Sequence, residues 1–161
     1  PRPLEVEPSP AEKGRETILF VDDEESLRTL GRQVLQEQGY AVVEACDGEE
    51  AVETFQGTHE KIDLVLLDLT MPRKSGWAAF EEIREISPEV PVILSSGYST
   101  QGGGKTANRR GANAFLPKPY KAQQLTQAVR TVLNTHQDES VANATPSMLG
   151  VELESSIASK Q

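Results

Sequence analysis

Between residues 16 and 134 the chain alternates short apolar runs with stretches of helical periodicity, and it does so five times. The runs Thr17 to Val21, Tyr40 to Ala45, Ile62 to Leu67, Val92 to Ser95 and Ala114 to Leu116 have the length and composition of buried strands. Between and after them, apolar residues recur at helical spacing: Leu27, Leu30, Val34 and Leu35; Ala51, Val52 and Phe55; Trp77, Phe80, Ile83 and Ile86; a weak fourth segment; and Leu125, Ala128, Val129 and Val132. Gly39 and Gly57 read as helix stops, Pro88 closes the third helix, and Asp47 with Glu50 has capping-box spacing. Five strand-then-helix units predict an α/β fold, a doubly wound five-stranded parallel sheet with helices on both faces.

Composition sets the boundaries of this domain. Residues 1–15 carry Pro1, Pro3, Pro8 and Pro10 with balanced charges and read as a linker. Residues 135–161 are rich in Ser, Ala and Asn, carry Asp138, Glu139, Glu152 and Glu154 against Lys160, and read as a disordered acidic tail. The formal net charge of −9 argues against direct nucleic-acid binding, which is led by Lys and Arg on phosphates, and against an anionic membrane surface. Cys46 is the single cysteine, so no intrachain disulfide forms. No apolar run approaches the roughly 20 residues that span a bilayer, and a cytoplasmic location is expected.

In sheets of this kind, sites form outside the carboxyl ends of the strands. Here the first strand ends in Asp22-Asp23-Glu24-Glu25, the third in Asp68, the fourth in Ser95-Ser96-Gly97 and the fifth in Pro117-Lys118-Pro119. Each has a bland reading. Acids cap helices, Asp68 suits a turn before Pro72, and Ser96 is an ordinary strand-end residue. Four consecutive acids exceed a capping role, however, and prolines on both sides of Lys118 constrain its backbone. Three carboxylates in one cleft repel each other unless a cation neutralises them, and an all-oxygen set suits Mg²⁺. A carboxylate beside such a cation, flanked by an ammonium and a hydroxyl, fits phosphoryl transfer onto an aspartate.

These motifs resemble the receiver domain of two-component response regulators. The likeness is carried by residues 18–24 (Ile-Leu-Phe-Val-Asp-Asp-Glu), Asp68-Leu69-Thr70-Met71-Pro72 with Gly76, residues 91–98 (Pro-Val-Ile-Leu-Ser-Ser-Gly-Tyr) and residues 111–119 (Gly-Ala-Asn-Ala-Phe-Leu-Pro-Lys-Pro). It covers residues 16–134 and implies the flavodoxin-like strand order 2-1-3-4-5. It implies that Asp68 is the phosphoacceptor, that Asp22, Asp23, Asp68 and the Thr70 backbone carbonyl hold Mg²⁺, with Asp22 acting largely through water, and that Lys118 pairs with a phosphoryl oxygen. Ser96 and Phe115 match the switch pair, Thr70 and Tyr98 flank the water approach and tune the phosphoryl lifetime, and the Lys118–Pro119 peptide is expected to be cis. The donor is then a phosphohistidine on a sensor histidine kinase or a histidine phosphotransfer domain. The face formed by the fourth helix, fifth strand and fifth helix is the readout surface, and a homodimer through it is open.

On this reading the chain is not an enzyme acting on a separate substrate: it phosphorylates and dephosphorylates itself at Asp68. The proline-rich start and the Ser-Ser-Gly-Tyr-Ser string look like receivers of hybrid histidine kinases, whose kinase domain would lie outside this chain. The alternative is a phosphorylation-independent pseudo-receiver that only binds a protein. Three rival readings fit less well. A P-loop at Gly104-Lys105-Thr106 lacks its first glycine, since position 99 is Ser. A haloacid-dehalogenase-type phosphatase wants a second Asp where Thr70 stands. A flavodoxin-type carrier would set the paired acids against a flavin phosphate. Glycines 102–104 together weaken the fourth helix by about 3 kcal/mol, so it is expected to start near Lys105.

Overall fold

The computed structural model describes residues 14–97 and 103–139. Five strands, β1 (Thr17–Val21), β2 (Ala41–Ala45), β3 (Leu64–Asp68), β4 (Val92–Ser96) and β5 (Ala114–Pro117), form one parallel sheet in the order β2-β1-β3-β4-β5. This is the order that the resemblance implies. The helices are α1 (Glu25–Glu37), α2 (Gly48–Thr58), α3 (Gly76–Ile86), α4 (Gly103–Arg109) and α5 (122–139).

Side-chain alternation divides the core into two layers. Leu19, Val21, Val65, Leu67, Val92 and Leu94 face α2, α3 and α4 and pack on Phe55, Phe80, Ile83 and Ala107. Ile18, Phe20, Leu64, Leu66, Ile93 and Leu116 face α1 and α5 and pack on Leu35, Leu125 and Val129. Because β1 and β3 are covered on both faces, they read as unbroken apolar runs.

Local chemistry fixes the helix ends. Gly39 takes φ +96°, the left-handed turn that ends α1 and starts β2. Asp47 caps α2, its Oδ1 accepting from the Glu50 N–H at 2.8 Å. Asp47→Ala is expected to lower stability by about 1 kcal/mol, read as a reduced midpoint in urea unfolding.

Three expected boundaries need correction. α2 runs through Gly57 to Thr58 and continues as a 3-10 turn over His59–Lys61. Gly57 keeps a negative φ, and a glycine stops a helix only where it adopts the left-handed turn. α4 includes Gly103 and Gly104 rather than starting at Lys105. Its Ala107, 1% exposed, is locked into the core, and this packing outweighs the glycine penalty. α5 passes residue 134 and stays helical to Glu139, so the expected tail begins inside a helix. There Arg130 pairs with Glu16 at 3.0 Å and Gln137 donates to Glu16 at 3.4 Å, tying the helix to the start of β1. The linker over residues 1–13, the tail from residue 140, Tyr98 and Gly102 lie outside the described residues.

Candidate functional site

The carboxyl ends of β1, β3 and β5 bring Asp22, Asp68 and Lys118 together. Both aspartates are buried, at 1% and 2% exposure, and the Lys118 side chain is 19% exposed. The two acids are held alike. Asp22 Oδ1 accepts the Glu24 N–H at 2.9 Å, and Asp68 Oδ1 accepts the Thr70 N–H at 3.1 Å. Each therefore has one oxygen fixed by the amide two residues on. The other oxygen of each faces Lys118 Nζ, at 2.7 Å for Asp22 and 3.1 Å for Asp68. Arg28, from the first turns of α1, donates to the Asp22 carbonyl at 2.7 Å and steadies the loop.

Asp23 is exposed, at the rim of the same cluster. One carboxylate oxygen from each of Asp22, Asp23 and Asp68 lies within 4.8 Å of the others. Burial raises the Asp68 pKa above the ordinary carboxylate range and the Asp22 charge raises it further, while the Thr70 amide and Lys118 oppose them. Burial would lower the Lys118 pKa, but close contact with Asp22 and the charges of Asp22 and Asp68 reverse this and hold the ammonium above its usual value. One ammonium cannot compensate three carboxylates. An all-oxygen donor set with excess negative charge, open on the Asp23 side, fits a hard divalent cation such as Mg²⁺.

The candidate switch residues lie on the other face of the sheet. Ser96, 8% exposed, continues the Val92 and Leu94 side of β4, and its carbonyl accepts the Lys118 N–H at 3.0 Å. Phe115 stands opposite Leu94 in register and packs, partly buried, against the layer that includes Ala107 of α4. Thr70 is exposed beside Asp68. The Lys118–Pro119 peptide is cis, as expected. Tyr98, the second lifetime candidate, lies outside the described residues.

Two more residues shape the site: Gly76, already part of the motif after Asp68, and Tyr120, which sequence reasoning passed over. Gly76 begins α3 directly against the Asp68 and Leu69 backbone, so closely that a Cβ would collide with it. Tyr120 buries its hydroxyl near the acids. Burial, then the charges of Asp22, Asp68 and Glu24, push its pKa well above the ordinary phenol range. Its position two residues beyond Lys118 was the available signal. No described helix is long and apolar enough to cross a membrane.

The family model of the response regulator receiver domain matches residues 18–130. The sensor kinase CckA of Brucella abortus (strain 2308) is 34% identical over 120 residues, which cover 74% of this chain and 13% of the kinase. The crystal structure of a response regulator receiver domain protein from Clostridium thermocellum superposes with a TM-score of 0.71 at 30% identity, covering 76% of this chain and 97% of that one. The CheX–CheY–BeF3–Mg²⁺ complex from Borrelia burgdorferi gives 0.69 at 30% identity, covering 73% and 88%. The chain spans about half the length of the transcriptional regulators it also matches. With the motifs, the strand order and the family model in agreement, the chain belongs to the response regulator receiver domain family of two-component systems.

Proposed function

We propose that this domain accepts a phosphoryl group on Asp68 from a phosphohistidine, carried by a sensor histidine kinase or a histidine phosphotransfer domain, and switches conformation in response. The observation that carries the reading is the paired geometry of Asp22 and Asp68. Their Oδ1 atoms are tied to backbone amides, and their Oδ2 atoms converge on Lys118 beside the exposed Asp23.

In the transfer, a carboxylate oxygen of Asp68 attacks phosphorus, the P–N bond to the imidazole breaks, and the histidine nitrogen takes the electron pair. Mg²⁺, held by Asp22, Asp23, Asp68 and the Thr70 carbonyl, would neutralise charge on the transferring oxygens. Lys118 pairs with one of them on this reading, which its ammonium 3.1 Å from Asp68 supports. A phosphoryl group on Asp68 adds charge at the strand ends and attracts Lys118 and the Ser96 hydroxyl. Ser96 and Phe115 share one face of neighbouring strands, so a shift of Ser96 opens room into which Phe115 moves. This couples the site to α4, β5 and α5, where a groove of about 620 Å³ is lined by Asn108, Gln124, Gln127 and Thr131. That face is the readout surface on this reading, for a protein partner or a second copy. Hydrolysis of the acyl phosphate resets the domain, and Thr70 flanks the approach of water. The match to a short part of a sensor kinase favours a receiver carried on a hybrid kinase.

The test is intact-protein mass after incubation with acetyl phosphate, with and without Mg²⁺. The expected result is a gain of one phosphoryl group only with Mg²⁺. No gain from acetyl phosphate or from a phosphorylated histidine phosphotransfer domain would leave the protein-binding pseudo-receiver as the better account.

A further inference from the structure

The groove between α4, β5 and α5 has an apolar floor and amide walls. Ala114, Leu116, Ala128 and Val132 form the floor, and Asn108, Asn113, Gln124 and Gln127 stand along the walls. Glu139, at the end of α5, is the one charged residue lining it among the described residues. β5 is an edge of the sheet, with no strand beyond it among the described residues. A side-chain amide offers both donors and an acceptor. Walls of amides therefore suit an extended peptide, whose backbone groups need partners, better than a helix, which satisfies its own.

The chain itself carries such a peptide. Residues 149–154, outside the described part of the chain, read Leu-Gly-Val-Glu-Leu-Glu. This strict alternation puts Leu149, Val151 and Leu153 on one side of an extended segment. Pro146 separates it from α5, because a proline breaks the helical ladder. The tether is long enough. From Glu139 to Gln124 the helix covers about 22 Å at 1.5 Å per residue. Residues 140–148 reach at most roughly 30 Å, enough to turn back at Glu139 and run along the groove towards the carboxyl end of the sheet.

Charge favours that direction. It carries Glu152 and Glu154 away from Glu139 and towards the start of α4. Lys105 is exposed there, one turn before Asn108 on the same helix face, and exposed Arg109 follows along that face. Neither pairs with an acid among the described residues. A short flexible tether also holds its segment at an effective concentration of about 1 mM, so even weak contacts fill the groove.

We propose that residues 149–154 dock, extended, in the α4–β5–α5 groove of their own chain and cover it until phosphorylation of Asp68 loosens that face. The covering role rests on the readout reading above; the docking does not.

The experiment is hydrogen exchange of the full chain, read by mass spectrometry over residues 113–117 and 124–132. At about 1 mM effective concentration, a segment with a Kd of about 0.2 mM slows exchange beneath it roughly sixfold. The triple variant Leu149→Asp, Val151→Asp, Leu153→Asp alters no residue of the core and is expected to lose that protection. A synthetic peptide of residues 146–156, added at millimolar concentration, is expected to restore it. Glu152→Lys with Glu154→Lys is expected to weaken protection, and adding Lys105→Glu with Arg109→Glu to recover it. Unchanged exchange in the triple variant, or charge reversal without recovery, would overturn the proposal. So would protection that grows with protein concentration alongside a dimer in sedimentation, which would assign the groove to a second copy. Charging with acetyl phosphate and Mg²⁺ reads the covering role separately, and exchange in both segments is expected to rise. Tail-dependent protection that survives phosphoryl uptake would overturn the covering role alone. If no phosphoryl group is taken up, the Asp68 reading fails and the docking result stands by itself.

Discussion

Asp68→Asn is expected to block phosphoryl uptake and, in metal-free buffer at neutral pH, to melt above the wild type. The first effect removes the nucleophile, and no phosphoryl gain is expected by intact mass. The second follows from the cost of the wild-type charge. Asp68 is 2% exposed, and burial and Asp22 hold its pKa above the ordinary range. An acid that binds its proton more tightly when folded contributes stability that is fully present below its unfolded pKa, about 3.9. That contribution is lost as pH rises through the higher folded value. Wild-type stability without metal should therefore decline over this window, and the Asp68→Asn variant should show a flatter profile. The expected gain is on the order of 1 kcal/mol, a few degrees in melting temperature. Saturating Mg²⁺ should stabilise the wild type by mass action and the amide variant much less. Thermal scans from pH 3 to 8, with and without Mg²⁺, check both. A variant that melts below the wild type across that range would contradict the repulsive character of the cluster.

Gly76→Ala is expected to be the most damaging single-methyl change near the site. A Cβ at position 76 would meet the Asp68 carbonyl carbon at 2.9 Å and come closer still to the Asp68 carbonyl oxygen and Leu69 Cα. All three are backbone atoms, so no side chain can swing aside. The Gly76 N–H also donates to the Leu69 carbonyl at 3.2 Å, holding α3 against the end of β3. Relieving the overlap must move α3 or the strand end that carries Asp68. The expected cost is about 3 kcal/mol, near 10 °C in melting temperature, with slower phosphoryl uptake because the Asp68 backbone shifts. Urea unfolding and the rate of mass gain from acetyl phosphate read the two effects separately. Wild-type values in both would show that the contact relaxes freely.

The strands were legible because both faces of β1 and β3 are covered, which leaves unbroken apolar runs such as Ile18 to Val21 and Leu64 to Leu67. The strand-end acids were legible because Asp22 and Asp68 end apolar runs with no structural need for charge. The ends of α2 and α5 were not. Composition marks where apolar periodicity stops, whereas a helix already nucleated continues through polar residues at little cost. Residues 135–139 continue α5 in this way beyond Leu133, the last buried residue of that helix. The glycines of α4 misled for a related reason, since propensity carries no information about what Ala107 packs against. Tyr120 was missed because its chemistry lies in a buried hydroxyl without a partner, a property of the packed layer rather than of the residue type.

The measurement that bears most directly on the central claim is chemical localisation of the phosphoryl group. The chain is charged with acetyl phosphate and Mg²⁺, reduced with borohydride, which converts an aspartyl phosphate to homoserine, and mapped by peptide mass spectrometry. Homoserine at position 68, absent when Mg²⁺ is withheld, is the result this account predicts. Homoserine at another acid, or a phosphoryl group that survives borohydride, would contradict it.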